Sequence, residues 1–156
     1  MTQSSVESFE EIWKLQAELN KRAGFDTLSL GSALAAAEHD GGPAAAERLE
    51  VGRALKNYID ALAAECHELK ECLAWKHWYD EARQGRQYEL QDVQNARVEA
   101  IDMLFFWVSI CQLLGLSCPD VYRLYSKKLS INHRRQDEAR SQLEHSRHEE
   151  ENREVV

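Results

Sequence analysis

Four carboxylates fall into two pairs whose spacing suits the binding of a metal ion. Glu65 and Glu68 lie three residues apart in AAECHELKE. Glu99 and Asp102 have the same spacing in VEAIDMLFF. Residues three apart share one face of a helix, so each pair can present both side chains to one neighbour. If the two helices pack antiparallel, the carboxylates can converge, and a site made only of oxygen ligands suits Mg²⁺ and substrate phosphates.

Asp102 is the most informative of these residues because it directly precedes the most apolar run of the chain. An isolated carboxylate in apolar surroundings is strongly destabilising, and no Lys or Arg lies within 98–111 to neutralise it. These features favour a bound cation. The alternative is that both pairs are solvated helix faces, because such spacings arise often by chance among 27 acidic residues.

Two further clusters carry side chains that suit a nucleotide. The segment WKHW at 75–78 can stack on a base and contact phosphate, although its tryptophans can equally belong to a core. Lys128, Asn132 and Arg135 fall on one helical stripe at i, i+4 and i+7. This stripe suits a triphosphate clamp, but cations that stabilise a helix C-terminus would give the same pattern.

Helices must position all of these residues, because 2 Pro and 7 Gly are too few for the turns of an all-β fold. The periodicity predicts a first helix from Ser4 or Ser5 to just before Gly24, followed by a looser stretch over 25–43. Pro43 begins a second helix over 44–79, which a break at 84–86 separates from the next. A helix over 89–114 then ends with Gly115 as its C′ residue, and a last helix runs from Pro119 into the 130s.

The predicted fold is therefore all-α, a bundle of four to five helices with a four-helix core. We predict one domain over 1–137 and a charged helix end or tail over 138–156. The segment 101–116 is apolar nearly all round, which predicts burial on more than one side. In a chain of 156 residues a second subunit would help to bury it, so we expect a homodimer.

Charge and cysteine usage limit the setting in which the protein works. A net charge of -8 argues against a nucleic-acid partner, because the protein would repel a polyanion. No apolar run reaches the roughly 18 residues of a membrane span, so no membrane partner is expected. The N-terminal segment lacks the basic and apolar regions of a signal peptide, and no CxxC pair occurs. We therefore expect reduced cysteines and a cytoplasmic location.

Several of these segments together resemble a known enzyme family. The segments ECHEL at 65–69, WKHW at 75–78, RVEAID at 97–102 and Lys128-x-x-x-Asn132-x-x-Arg135-Gln136 resemble the motifs of the dimeric all-α dUTP diphosphatases. That family lies within the all-α NTP pyrophosphatase (MazG-like) superfamily. The segment KLQAELN at 14–20 is similar to the family's first helix. The paired carboxylates are typical of the whole superfamily, whereas WKHW and KLQxxLN indicate the dUTP diphosphatases.

The resemblance implies a nucleotide-hydrolysing homodimer. It would convert dUTP, with dUDP as a further candidate substrate, and would require Mg²⁺, with Mn²⁺ as a substitute. The products of dUTP would be dUMP and pyrophosphate, which keeps uracil out of DNA and supplies dUMP for thymidylate synthesis. The implied site residues are Glu65, Glu68, Glu99 and Asp102 as metal ligands, Glu68 also as the residue that orients or deprotonates water, Gln16, Asn20 and Trp75 around uracil, and Lys76, Lys128, Asn132 and Arg135 at the phosphates.

The chain also departs from the family pattern, and two other functions stay open. Gln136 is followed by DEARSQLEHS, which lacks the Gly-Tyr segment that usually helps to close the family's site, and the stretch 25–51 has no clear counterpart. Because an amide side chain can flip, Gln16 and Asn20 are compatible with a dCTP or broad dNTP pyrophosphatase. A non-enzymatic helical protein-interaction module, with surface carboxylates and Trp-rich faces, is the second alternative.

Overall fold

The structure is a computed structural model that describes residues 3–39 and 45–139, and its helices account for most of them. They are α1 (Gln3–Arg22), α2 (Thr27–His39), α3 (Ala45–Glu71), α4 (Asp80–Arg83), α5 (Val93–Leu113) and α6 (Cys118–Ala139). Within these described ranges there is no strand, only an isolated bridge between Leu73 and Leu90. The predicted all-α class is confirmed, and the described residues form six helices, of which α4 has only 4 residues.

The chain divides into two units, Met1–Gly115 and Leu116–Val156. The first unit contains α1 to α5, and α6 belongs to the second. We predicted a single domain over 1–137, and this division falls within that range. Most of the predicted tail over 138–156 lies outside the described residues, and its first two residues are the end of α6.

The core of the first unit forms where α2 and α5 pack against α3. Val51 and Ala54, one helical turn apart on α3, are buried together with Leu113 of α5. Leu30, Leu34, Leu55 and Tyr58 pack around them. Helix α1 packs on α5 and α2. The long α3 and α5 therefore form the frame on which the candidate site is built.

Two glycines allow α2 to cross the end of α5 at very short range. A Cβ atom at Gly31 would overlap the carbonyl oxygen of Gln112 and would lie 2.9 Å from the amide nitrogen of Gly115. Gly115 itself follows α5 with a φ of +71°, as expected of a C′ glycine. This contact is possible only because neither residue has a side chain.

The boundaries of two helices differ from the prediction because of local hydrogen bonds. Helix α3 ends at Glu71 rather than near residue 79, because the backbone of 72–74 pairs with 88–91. The bonds include Ala74 N to Glu89 O at 2.9 Å and Gln91 N to Cys72 O at 2.8 Å. Helix α5 begins at Val93 rather than at residue 89, because the Asp92 side chain accepts the backbone N–H of Asn95 at 2.9 Å.

The first two helices also differ from the prediction. The stretch 25–43, predicted to be looser, contains α2, whose start is stabilised by the Asp26 carboxylate accepting the backbone N–H of Ser29 at 3.1 Å. Its Ala-rich composition then favours the helix. Helix α1 already includes Ser4 and Ser5, so neither residue is its N-cap. Pro43 lies outside the described residues.

Helix α6 begins at Cys118, one residue before the predicted Pro119, through reciprocal capping. The Ser117 backbone N–H donates to the Asp120 carboxylate at 3.1 Å, and the Asp120 backbone N–H donates to the Ser117 hydroxyl oxygen at 3.3 Å. Hydrogen bonds from Ser117, and then from Arg123, lower the pKa of Asp120. The helix start is therefore held by local polar contacts.

The structure joins none of the four cysteines, all within the described residues, in a disulfide, and burial raises the pKa of Cys111 to about 11, which disfavours its thiolate. Among the described residues, no single helix is long and apolar enough to cross a membrane; α5 and α6 reach that threshold only when taken together.

Candidate functional site

Three of the predicted metal-ligating carboxylates converge between α3 and α5. Each of Glu65, Glu68 and Glu99 has a carboxylate oxygen within 4.8 Å of the other two. Glu65 and Glu68 occupy neighbouring positions on one face of α3, and the packing of α3 against α5 brings Glu99 to that face. As the i, i+3 spacing predicts, Glu65 and Glu68 present their carboxylates on one face of α3.

The surroundings of Glu65 within this carboxylate cluster shift its pKa. Burial raises the pKa of Glu65 above its usual value, and the negative charge of Glu68 raises it further. A hydrogen bond with Glu99 and the charge of Asp102 act in the same direction. A carboxylate whose ionised form is disfavoured by neighbouring carboxylates, as that of Glu65 is, would be stabilised by a bound cation.

Glu99 is the most buried member of the cluster, with 6% of its surface exposed. Its carboxylate accepts a hydrogen bond from the Asn95 side-chain amide at 2.9 Å, one turn earlier on α5. The same amide nitrogen of Asn95 lies 3.5 Å from the sulfur of Cys72. Asn95 thus orients Glu99, a role that was not predicted from the sequence, although its i−4 position is a usable signal.

Asp102 lies beside the cluster rather than within the set of three carboxylates. It is partly exposed, and its charge acts on Glu65. The sequence drew attention to Asp102 because it precedes an apolar run, yet Glu99 is the carboxylate that the fold buries. Ile101 and Phe105, which flank Asp102 in the sequence, are exposed in the single chain, so the apolar run does not enclose this carboxylate.

A cleft of about 540 Å³ connects the acidic cluster to α1. Glu65 and Asp102 line one part of it, and Gln16 and Asn20 of α1 also line it. The remaining lining residues are mostly apolar: Leu19, Ala23, Phe25, Ala54, Asn57, Tyr58, Ala61, Phe105 and Phe106. The volume is typical of sites for small molecules, and the lining combines apolar walls with a few polar groups.

The aromatic wall of the cleft was not predicted from the sequence. The ring of Tyr58 lies 6.4 Å from the rings of both Phe25 and Phe106, measured between centroids. Burial raises the pKa of the Tyr58 hydroxyl. In the sequence these residues are indistinguishable from ordinary core positions, because their proximity depends on how α3 and α5 pack.

Gln16 and Asn20 belong to a buried polar network beneath the cleft. The side-chain nitrogen of Gln16 donates to Asn20 Oδ1 at 2.9 Å and to Ser109 Oγ at 3.0 Å. Asn20 Nδ2 donates to Ser109 Oγ at 2.9 Å and to Thr27 Oγ1 at 3.2 Å. Thr27 in turn donates to Gln112 Oε1 at 2.6 Å. Each of these side chains is at most 5% exposed.

Trp75 is not among the residues that line this cleft. It lies in the loop after α3, where its indole N–H donates to the Glu71 carboxylate at 3.0 Å. The Lys70 ammonium lies 3.8 Å from the centre of its ring, and the Lys76 ammonium lies 5.2 Å from it. Lys76 also contacts Glu71 at 3.7 Å, and its hydrogen bond with Tyr79 raises its pKa. The structure thus brings Trp75 and Lys76 to one another.

Lys128, Asn132 and Arg135 lie on α6, in the second unit. Their numbering places them on one side of that helix, as predicted. The three residues form a stripe of two cations and one amide on α6.

Comparison of the chain with protein-family models, with curated proteins and with solved structures found no match. The carboxylate cluster fits a hard divalent cation, since its donors are oxygens and at least one of them is hindered from ionising while the charges are uncompensated. The amide-lined and aromatic part of the cleft fits a planar polar ring.

Proposed function

We propose that this chain is a metal-dependent nucleotide diphosphatase that hydrolyses dUTP to dUMP and pyrophosphate. The observation that supports the proposal most is the cleft lined both by the amides of Gln16 and Asn20 and by the carboxylates of Glu65 and Asp102. A nucleoside triphosphate needs polar recognition at its base and a cation at its phosphates, and the cleft offers residues for both.

Glu65, Glu68 and Glu99 would hold Mg²⁺, with Asp102 beside them; Mn²⁺ would substitute for it. When bound, the ion would neutralise charge on the phosphate oxygens and favour ionisation of water. Asn95 would keep the Glu99 carboxylate oriented through its 2.9 Å hydrogen bond.

Glu68 is the proposed residue for orienting the attacking water and accepting its proton. Among the three clustered carboxylates it is the exposed one, so water can reach it. The oxygen of that water would form a new bond to phosphorus, the anhydride bond between the α- and β-phosphates would break, and pyrophosphate would leave. The proton would pass to a carboxylate oxygen of Glu68.

Uracil would bind against Gln16 and Asn20, and we propose Trp75 as a further base contact. Lys76, Lys128, Asn132 and Arg135 are proposed to contact the phosphates, where cationic and amide donors offset the charge that develops during cleavage. Hydrolysis of dUDP would use the same residues.

We propose that the active form is a homodimer. Helix α1 carries the exposed apolar stripe Ile12, Leu15 and Leu19, and α5 carries a second stripe formed by Val98, Ile101 and Phe105. Leu19 and Phe105 also line the cleft, so both stripes border it. A second copy that covers these stripes would remove apolar surface from water next to the site.

The test is to identify the products of dUTP with Mg²⁺ by ion-exchange chromatography. We expect dUMP and pyrophosphate in equal amounts, and no products in excess chelator. Glu99→Gln should lower kcat by more than the roughly 10–100-fold typical of losing an outer-shell partner. The matched control is Asp60→Asn, an exposed carboxylate on α3 that pairs with Lys56, which should retain activity. Formation of dUDP and phosphate, or full activity of Glu99→Gln, would contradict the proposal.

A further inference from the structure

The donors and acceptors of the buried network under the cleft can be assigned, because the network ends on two backbone carbonyl oxygens. Gln112 contacts the carbonyl oxygen of Trp13 at 2.9 Å, and Ser109 contacts the carbonyl oxygen of Phe105 at 2.9 Å. A carbonyl oxygen can only accept a hydrogen bond. Gln112 must therefore present its amide nitrogen to Trp13, and the Ser109 hydroxyl donates its only hydrogen to the carbonyl oxygen of Phe105.

The orientation of Asn20 follows from these two contacts. With its nitrogen directed at Trp13, Gln112 presents Oε1 to Thr27, so the Thr27 hydroxyl donates to it at 2.6 Å. The oxygen of Thr27 is then an acceptor, as is the oxygen of Ser109. Asn20 must therefore present its amide nitrogen to both, at 3.2 Å and 2.9 Å respectively.

The orientation of Gln16 follows in turn. Asn20 Oδ1 faces Gln16, which must donate to it, at 2.9 Å. The second hydrogen of the same Gln16 nitrogen goes to Ser109 Oγ at 3.0 Å. Both amide hydrogens of Gln16 are thus used inside the network, and its Oε1 keeps its capacity to accept. Because Gln16 lines the cleft, that oxygen is what the residue can offer to a ligand.

We infer that Ser109, Thr27 and Gln112 are positioning residues that fix the amides of Gln16 and Asn20 with their donors inward, so that the cleft selects a ligand bearing a hydrogen-bond donor. This inference rests on the proposed function and concerns the base end of the same site. The acceptor fits the N3–H of a uracil-type imide. Cytosine carries its donor on the N4 amino group instead, and in the same pose its unprotonated N3 would meet the oxygen with a lone pair.

The first experiment compares three non-hydrolysable nucleotides with the wild-type protein. Isothermal titration calorimetry with Mg²⁺ would measure binding of α,β-imido-dUTP, its N3-methyl derivative and α,β-imido-dCTP. We expect the last two to bind at least about tenfold more weakly, since a polar site rejects ligands that leave its groups unpaired. Equal affinity for all three would overturn the inference but leave hydrolysis of dUTP, and so the proposed function, intact. If no analogue binds and dUTP is not hydrolysed, the proposed function fails and this inference fails with it.

The second experiment tests the positioning role of Ser109 itself. In Ser109→Ala both amides lose their shared acceptor and Gln16 is held only through Asn20 Oδ1, so the preference for the uracil analogue over the cytosine analogue should fall to about threefold or less. The control is Ser130→Ala, which removes an exposed hydroxyl that also donates to the carbonyl oxygen four residues earlier, at 3.1 Å; it should keep the preference.

An equal loss of affinity for both analogues in Ser109→Ala would mean that Ser109 only supports the fold, and would overturn its positioning role. The wild-type comparison uses no substitution, so it stays decisive even if the Ser109 variant does not fold.

Discussion

At the scale of single residues, the clustered carboxylates disfavour the ionised form of Glu65. Glu65 is surrounded by Glu68, Glu99 and Asp102, and these neighbours together with burial disfavour its ionised form. A folded protein tolerates such repulsion at a cost in stability, and sites of this kind are common where function requires them. We therefore expect the stability of the protein to depend on pH and, under the proposed function, on divalent metal.

Glu65→Gln should raise the thermal stability of the metal-free protein at neutral pH. The raised pKa means that the folded state holds a proton more tightly than the unfolded chain, so stability falls as the pH rises from 4.5 through the folded-state value. The substitution removes this loss of stability. The Tm of the variant should therefore exceed that of wild type by an amount that is small at pH 4.5 and grows to a few degrees as the pH rises.

Differential scanning calorimetry in chelator across this pH range would measure the gain. In excess Mg²⁺ the order should reverse, because wild type gains stability from bound metal that the variant lacks. A variant that is less stable than wild type in chelator at neutral pH would contradict the account of the cluster.

At the scale of helices, the candidate site depends on how closely α2, α3 and α5 pack. The Gly31–Gly115 contact lets α2 approach the end of α5, where Gln112 and Thr27 meet in the buried network. Helix α3 then carries Glu65 and Glu68 toward Glu99. A change in the crossing of α2 and α5 should thus disturb both the core and the base end of the cleft.

Gly31→Ala should destabilise the protein by at least about 1–3 kcal/mol, the scale of overpacking in a closely packed core. The new methyl group would overlap the carbonyl oxygen of Gln112, which belongs to the backbone and cannot move aside cheaply. Gly52→Ala is the matched control, since that α3 position faces open space. It should stabilise by about 0.5–1 kcal/mol. Urea unfolding measures both, and a neutral Gly31→Ala would show that α2 does not approach α5 this closely.

At the scale of the whole molecule, the first unit exposes several large apolar side chains beside its cleft. Leu15 and Ile101 are 55% and 54% exposed, and each belongs to an apolar stripe that borders the cleft. The sequence predicted that the α5 segment would be buried on more than one side. Within the single chain, the buried apolar residues of α5 lie in its C-terminal half: Val108, Cys111 and Leu113.

Leu15→Glu should dissociate the proposed homodimer. Two-fold symmetry would place the new charge in the interface twice, so we expect the dissociation constant to rise by about a hundredfold or more. Leu49→Glu is the control, because Leu49 has the same 55% exposure but lies on α3 outside both stripes. Sedimentation velocity over a range of concentrations would separate them. A monomeric wild type, or equal effects of the two variants, would contradict the proposed interface.

Much of this architecture could be predicted from the sequence, because helical periodicity and glycine stops are local signals. The all-α class and the role of Gly115 are examples. Helix ends set by pairing with distant residues, such as the end of α3 against 88–91, were predicted wrongly.

In the candidate site too, the local features could be predicted from the sequence and the long-range contacts could not. The spacing of Glu65 and Glu68 indicates a shared face, whereas the network that joins Gln16 to Ser109 spans 93 positions and depends on packing.

The most direct test of the central proposal is pyrophosphate release with Mg²⁺ from dUTP, dCTP, dTTP, dATP, dGTP and UTP, measured in parallel. The account predicts release from dUTP with a kcat/KM well above that for dCTP, and no release in chelator. Hydrolysis of several nucleotides at similar rates would retain the proposed metal site but contradict the uracil-binding role of Gln16 and Asn20. No release from any nucleotide would contradict the proposed enzymatic function and favour a protein-interaction module.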